Sequence, residues 1–164
     1  MGFGPEPVLM VGVIVVRDDG RVLVHRSDNW GGRYTFPGSR VLYGEAVEDA
    51  VIRTAQEETG VGVVDPELIL VMEMLNDPEN TAKGSHLLGL GYVSAATTPA
   101  PTKSAGTVPF EWVTPEEAEK LDLATWARKA LEKYVSGNTR LQFGSRVVHD
   151  QKDAIDKSPD SDSS

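Results

Sequence analysis

Hydrophobic and polar residues alternate along the chain in blocks that predict strands separated by turns. The first block, Val8–Val16, is apolar and rich in β-branched residues, which is the composition of a buried strand. An Arg-Asp-Asp-Gly turn at 17–20 follows it, and residues 21–24 resume the apolar pattern, so the two segments predict a hairpin. Three more apolar segments predict strands at 68–74, 86–95 and 110–113.

Two regions have the pattern of helices. Residues 45–59 contain no glycine or proline, and Gly60 follows them as a stop signal. Thr114 and Pro115 precede two glutamates, which predicts an N-cap that opens one or two helices reaching to about Val135. Strands, a central helix, more strands and a closing helix predict an α/β fold of the α+β kind, with a mixed sheet covered by helices.

A chain of 164 residues suits one domain with a single core. The hydrophobic pattern weakens after Ser136, and the residues from about 150 onward are mostly polar or charged. We therefore expect one domain over 1–136 and a C-terminal extension over 137–164, disordered from about residue 150.

The composition excludes several kinds of site. The chain has no cysteine, which excludes disulfides, thiolate zinc sites and cysteine nucleophiles. The histidines are too far apart in sequence to form a close metal-binding pair; they are His25, His86 and His149. No apolar run approaches a membrane span, and no basic segment precedes the apolar N-terminal stretch, so we expect a soluble, cytoplasmic protein with no membrane partner.

The formal net charge is −9, from 25 acidic and 16 basic residues. A field of this sign repels nucleic acid, so no nucleic-acid partner is expected. An anionic small substrate would need a cation between itself and the protein, which directs attention to the carboxylates. The alternative is that the excess of acidic residues only confers solubility.

The predicted helix at 45–59 carries one carboxylate on its apolar stripe. Val47 and Val51 share a face, and the same line continues to Thr54 and Glu58. A carboxylate on such a stripe is costly unless it is paired, hydrogen-bonded or metal-bound. Two alternatives stay open: Glu58 lies at a frayed helix end, or it belongs with Glu57 to a solvated salt-bridge face.

The segment before this helix can supply a further ligand. Gly38 and Gly44 allow a tight loop that folds back on the helix. A backbone carbonyl of the loop and carboxylates from the helix end would form an oxygen-rich site suited to Mg²⁺ or Mn²⁺.

Residues 39–61, SRVLYGEAVEDAVIRTAQEETGV, resemble the Nudix box. That box reads glycine, five residues, glutamate, seven residues, then Arg-Glu-apolar-x-Glu-Glu-x-Gly-apolar. The residues in register are Glu45, Arg53, Ala55, Glu57, Glu58, Gly60 and Val61. The resemblance implies a Nudix-type mixed sheet sandwiched between helices.

The resemblance also implies roles for individual residues. Glu58 would be the principal metal ligand, Glu57 a second, and the carbonyl of Gly38 a third. Glu45 and Arg53 would complete the catalytic group by tying the loop to the helix and orienting the carboxylates.

Two residues depart from the box. Ser39 stands where the box begins with glycine, and Thr54 stands where the family has its first helical glutamate. In many members that glutamate binds metal or acts as base. The family's branch that hydrolyses GDP-mannose also lacks it, and takes its base from a later loop with a Gln-His pair. The corresponding residues here, 103–109, hold neither glutamine nor histidine.

The general base is therefore unassigned. The acids and bases in neighbouring segments are Glu73, Asp77, Glu79, His86 and Glu111. Arg26 resembles a phosphate-contacting position of the GDP-mannose branch, and with His86 it is a candidate for substrate binding. The alternatives are an ordinary edge charge for Arg26, a surface position for His86 and an outward-facing strand position for Glu111.

The sequence features leave three functions to be compared. The first is Mg²⁺-dependent hydrolysis of a nucleoside diphosphate linked to another group, such as a sugar. The second is a catalytically weak module that binds or senses a nucleotide, which Thr54 and residues 103–109 favour. The third is a purely structural interaction domain, against which the Glu57-Glu58 pair argues. The expected partner is a small nucleoside diphosphate compound, and a homodimer is left open.

Overall fold

The computed structural model describes residues 6–82, 85–97, 109–138 and 140–147. Its strands are β1 Val8–Val16, β2 Val22–Ser27, β3 Arg33–Thr35, β4 Gly38–Arg40, β5 Val63–Leu75, β6 His86–Ala96, β7 Glu111–Val113 and β8 Gln142–Val147. Its α-helices are α1 Val47–Thr59, α2 Pro115–Glu119 and α3 Thr125–Val135, and a 3-10 turn covers Asp28–Trp30.

The strands form a mixed sheet. Its order is β3-β2-β1-β6-β5-β8, with β4 also paired to β1 and β7 to β2. The β1–β6 and β5–β8 pairs are parallel, and the other pairs are antiparallel. The predicted hairpin of β1 and β2 is present and closes at Val16 and Val22.

Helices cover both faces of the sheet because the strands are apolar on both sides. On one face, Val13 and Val15 pack with Ala50 and Val51 of α1. On the other face, a separate apolar cluster joins β1, β2 and β5 to α2 and α3; it includes Ile14, Met72, Ala118, Ala127 and Leu131. The sandwich predicted from the sequence is confirmed.

The helix ends follow the predicted signals. Gly60 ends α1 in the left-handed conformation, with φ of 76°, which favours glycine. Thr114 caps α2 through a reciprocal pair of hydrogen bonds with Glu117. The predicted start of α1 was two residues early, since Glu45 lies in the preceding loop and its carboxylate accepts a hydrogen bond from the Leu42 N–H.

Some strands were not predicted. β3 and β4 have three residues each, which is too short for alternation to show. β8 lies in the predicted extension, where the sequence indicated no element, and it pairs with β5 at the edge of the sheet. The tail from about residue 150 lies outside the described residues. Within the described ranges, no helix is both long and apolar enough to cross a membrane.

Candidate functional site

Strand β4 lies against the C-terminal half of α1 and is hydrogen-bonded to it. The Gly38 N–H donates to Oε2 of Glu58 at 3.2 Å. Next along the strand, the Ser39 and Thr54 hydroxyl oxygens are 2.5 Å apart. Thr54 and Glu58 are one helical turn apart, so both contacts fall on the same face of α1. The structure thus brings Gly38 and Glu58 together, as the resemblance implied, although the contact shown uses the glycine N–H.

Arg53 connects the loop, β4 and α1. Its Nε and Nη2 donate to the two carboxylate oxygens of Glu45 at 2.6 and 3.0 Å. Nη2 also donates to the Arg40 carbonyl at 2.8 Å, and Nη1 donates to Glu57 at 3.0 Å. This geometry fixes the Arg53 guanidinium by a bidentate pair, which in turn restricts where the Glu57 carboxylate can lie.

The two neighbouring glutamates have different environments. The Glu57 side chain is 63% exposed and belongs to the salt-bridge face with Arg53. Glu58 is half-buried, and burial raises its pKa to about 7, while the Gly38 N–H and the charge of Arg53 act in the opposite direction. Neither alternative raised for Glu58 holds: its carboxylate is partly desolvated and accepts the Gly38 N–H, and of the two glutamates Glu57 belongs to the solvated salt-bridge face.

The donor set suits Mg²⁺ in the way this ion is usually bound. Within the described ranges, no group of three or more His, Cys, Asp or Glu side chains is arranged to hold a metal. What α1 offers is two adjacent carboxylates, Glu57 and Glu58, that line an open cleft. Mg²⁺ commonly takes one or two carboxylates and completes its shell with water and substrate phosphate. A cation would also stabilise the charged form of the partly desolvated Glu58.

A cleft of about 1300 Å³ runs from the end of α1 across the sheet. Its lining includes most of the candidate residues, namely Arg26, Gly38, Arg53, Glu57, Glu58 and His86. Glu45 contacts Arg53 from outside this lining. The volume is above the usual range for a small-molecule site, so a substrate of nucleotide size can be accommodated.

Aromatic residues form one wall of the cleft. Trp126 of α3 lies against Trp30 and Phe36, with ring centroids 6.5 and 6.3 Å apart. The Trp126 ring also covers Gly12 of β1 so closely that a Cβ there would lie 2.4 Å from the ring. The sequence pattern did not identify these residues as part of a site. A glycine inside an apolar strand was the one available signal, because it often marks close packing.

The two candidates for substrate binding lie on the cleft lining. The Arg26 guanidinium is exposed and stacks 4.8 Å from the centre of the Tyr34 ring. His86 Nε2 is 3.0 Å from Oε2 of Glu73, and both side chains are more than a third exposed. The cleft lining thus carries the Arg26 guanidinium at one position and the His86 imidazole at another, and Glu73 contacts the imidazole.

The other candidates for the base have different surroundings. Glu79 accepts hydrogen bonds from the Thr125 N–H and hydroxyl at 2.8 and 3.0 Å, at the start of α3. Asp77 is buried and accepts from the Glu79 N–H, and Glu111 is exposed on β7. None of these three acids is among the described residues that line the cleft. Of the candidates for the base, His86 is the one on the described cleft lining, and its imidazole contacts Glu73.

The family model described as NUDIX domain matches residues 7–134. A protein named ADP-ribose pyrophosphatase from Methanocaldococcus jannaschii is 30% identical over 89 residues, which cover 54% of this chain and 50% of that protein. The chain therefore spans about half the length of this curated relative.

Solved structures share the fold. The MutT protein from Bacillus halodurans has a TM-score of 0.68 at 23% identity, covering 84% of this chain and 88% of that one. The MutT NUDIX hydrolase from Burkholderia pseudomallei has a TM-score of 0.63 at 26% identity, covering 79% and 98%. The NUDIX domain of Shewanella oneidensis NrtR, solved in complex with ADP ribose, has a TM-score of 0.67 at 17% identity, covering 82% and 90%.

Proposed function

Since the chain belongs to the Nudix family, we propose that it is a Mg²⁺-dependent hydrolase of a nucleoside diphosphate linked to a second group. The observation that carries the proposal is the position of Glu58, which is half-buried and opens on the cleft where α1 meets β4. Glu57 lies beside it, so two carboxylates are available at one point of a cleft large enough for a nucleotide. A carboxylate held partly out of water serves no evident packing purpose.

The ligands proposed for the cation are the carboxylates of Glu57 and Glu58 and the carbonyl of Gly38. When bound, the cation would neutralise charge on the pyrophosphate and lower the pKa of an attacking water. Mn²⁺ would suit the same oxygen ligands. The cation would also reduce the repulsion between an anionic substrate and a protein with a net charge of −9.

The protein's own contribution is to hold these groups in place. Arg53, fixed by Glu45 and the Arg40 carbonyl, restrains Glu57 through its Nη1. The Gly38 N–H restrains Glu58. Carboxylates held in this way need little rearrangement when cation and substrate arrive, which is how pre-organised sites gain rate.

The residues that line the cleft suit a substrate with an anionic group and a planar ring. Arg26 would contact a phosphate, and the wall formed by Trp30 and Trp126 would receive a base or ribose. Within this class, ADP-ribose is the first compound to test, because a relative is named for its hydrolysis and a structural neighbour binds it. His86, oriented by Glu73, is the base that the cleft favours.

One observation favours a second candidate, a module that binds a nucleotide without efficient turnover. Thr54 replaces the first helical glutamate of the box, and it is fully buried with its hydroxyl in contact with Ser39. The site then has two helical carboxylates rather than three, which weakens the support for catalysis more than the support for binding.

A screen of nucleoside diphosphate derivatives with Mg²⁺, read out by product identity, tests the proposal. We expect ADP-ribose or a related nucleotide sugar to be cleaved only when Mg²⁺ or Mn²⁺ is present. From ADP-ribose, AMP and ribose 5-phosphate would indicate attack at phosphorus. From a nucleotide sugar linked through its anomeric carbon, a nucleoside diphosphate and a free sugar that carries oxygen from labelled water at that carbon would indicate attack at carbon. Tight binding without turnover across the screen would support the second candidate, and neither binding nor turnover would contradict both.

A further inference from the structure

Ser39 and Thr54, the two residues that depart from the Nudix box, are in contact with each other. They are on different elements, β4 and α1, yet their hydroxyl oxygens are 2.5 Å apart. Thr54 is fully buried, and Ser39 is half-buried on the cleft lining. The two departures from the box are therefore neighbours in space, and each hydroxyl has the other as a hydrogen-bond partner.

The contact leaves no room for a longer side chain at position 54. Thr54 Oγ1 is a γ atom, and a glutamate continues for two further bonds beyond that point, each about 1.2 to 1.5 Å long. The Ser39 Oγ lies 2.5 Å away, in the space that such a carboxylate would have to enter. Thr54 has no exposed surface, so a longer side chain at this position has to displace atoms that are already packed around it.

We propose that Ser39 and Thr54 form an interdependent pair that limits this site to two helical carboxylates. Ser39 occupies the space that a glutamate at position 54 would need, and Thr54 gives the Ser39 hydroxyl its partner. A third carboxylate can therefore enter only when both residues change. The inference relies on the proposed function in one respect, the placement of the cation at Glu57 and Glu58.

The pair also has a positioning role. It ties β4 to α1 next to the contact between the Gly38 N–H and Glu58, so it helps set the separation of strand and helix at the carboxylates. A site with two carboxylates leaves more of the cation's shell to water and to the diphosphate of the substrate. Cation and diphosphate then bind as a unit, with the cation held weakly in the absence of the nucleotide.

The test compares wild type with Ser39→Gly, Thr54→Glu and the double variant, using Mn²⁺ as the probe. Mn²⁺ affinity is measured by electron paramagnetic resonance and stability by thermal melting. We expect Thr54→Glu alone to lower the melting temperature by roughly 5 °C or more and to change the Mn²⁺ dissociation constant by less than about three-fold. We expect the double variant to regain most of the stability and to bind Mn²⁺ about ten-fold more tightly.

Glutamine at position 54 is the matched control, because it has the shape of glutamate without the charge. Thr54→Gln and its combination with Ser39→Gly should follow the same pattern in melting temperature but leave Mn²⁺ affinity at the wild-type level. If Thr54→Glu alone binds Mn²⁺ as tightly as the double variant does, the two positions are independent and the proposal is wrong.

A second measurement covers the case in which the glutamate variants do not fold. Ser39→Ala, Thr54→Val and their combination are compared by urea unfolding. If the two hydroxyls share a hydrogen bond, the unfolding equilibrium constant of the double variant should differ by about five-fold from the value that the two single variants predict when their effects are combined independently. Additive effects would overturn the pair. None of these measurements uses turnover, so an absence of hydrolysis, which would contradict the proposed function, leaves this test unaffected.

Discussion

Replacing Gly12 with alanine should disturb the aromatic wall of the cleft. Gly12 lies in β1 with the Trp126 ring directly over it. The added Cβ would lie 2.4 and 2.5 Å from two ring carbons, whereas non-bonded carbons prefer about 3.5 to 4.0 Å. Trp126 therefore has to move by roughly 1 Å, and it is held by packing against Trp30 and Phe36.

Overpacking of this kind costs about 1 to 3 kcal/mol. For a chain of this length each kcal/mol lowers the melting temperature by about 2 to 4 °C, so we expect Gly12→Ala to melt roughly 2 to 12 °C below wild type. The same shift of the ring should weaken nucleotide binding, because the ring forms part of the cleft lining. Thermal melting by circular dichroism and a nucleotide titration measure the two effects.

A matched glycine provides the control. In Gly144→Ala, on β8, the nearest atoms to the new Cβ belong to Met72 and Leu70 at 3.9 and 4.0 Å, which is ordinary contact. Its melting temperature should stay within about 2 °C of wild type. Adding Trp126→Phe to Gly12→Ala removes the clashing part of the indole and should restore part of the loss. A Gly12→Ala protein that melts like Gly144→Ala would refute the argument from packing.

Three further changes test the electrostatics and the capping. His25 is 6% exposed, and burial lowers its pKa. As the pH drops below about 6.5, the unfolded chain is therefore protonated at His25 before the folded chain is, and the free energy of unfolding should fall. His25→Gln should flatten this part of the curve of melting temperature against pH. Arg53→Lys cannot reproduce the bidentate contact with Glu45 and should weaken Mg²⁺ affinity about ten-fold or more by titration calorimetry, and unchanged affinity would contradict its positioning role. Thr114→Ala removes the cap that accepts from the Glu117 N–H and should cost about 1 kcal/mol in urea unfolding; no loss would show that the cap contributes nothing.

The central helix could be predicted because its signals are local. The repeat of apolar positions set the face of α1, and Gly60 set its end. The same projection placed Glu58 on the apolar stripe, and the structure shows it half-buried with its carboxylate bound to the Gly38 N–H. The predicted start of the helix was less accurate. Glu45 lies in the preceding loop, where its carboxylate accepts hydrogen bonds from Arg53.

The rest depends on contacts between distant residues. Phe143 of β8 is 65% exposed, so this strand does not follow the rule that apolar residues alternate toward the core. The strand is instead defined by its hydrogen bonding to β5, which the sequence pattern does not show. Gly12 and Trp126 meet only after the sheet and α3 have packed. Ser39 and Thr54 read as two separate departures in the sequence because no spacing rule shows that β4 and α1 bring them together.

Glu58→Gln tests most directly whether Glu58 works with a divalent cation in hydrolysis. Glutamine keeps the shape and can still accept the Gly38 N–H, and since burial disfavours the charge of Glu58, the fold should not suffer. The measurement is the steady-state rate for the best substrate of the screen across Mg²⁺ concentrations. Glu116→Gln, on the exposed first turn of α2, is the control for losing one acidic charge.

We expect Glu58→Gln to lower the rate by about 100-fold or more at every Mg²⁺ concentration, as when a principal electrostatic group is removed from a site. Its melting temperature without Mg²⁺ should match that of wild type, and Glu116→Gln should retain full activity. A Glu58→Gln enzyme that reaches the wild-type rate at saturating Mg²⁺ would contradict the account.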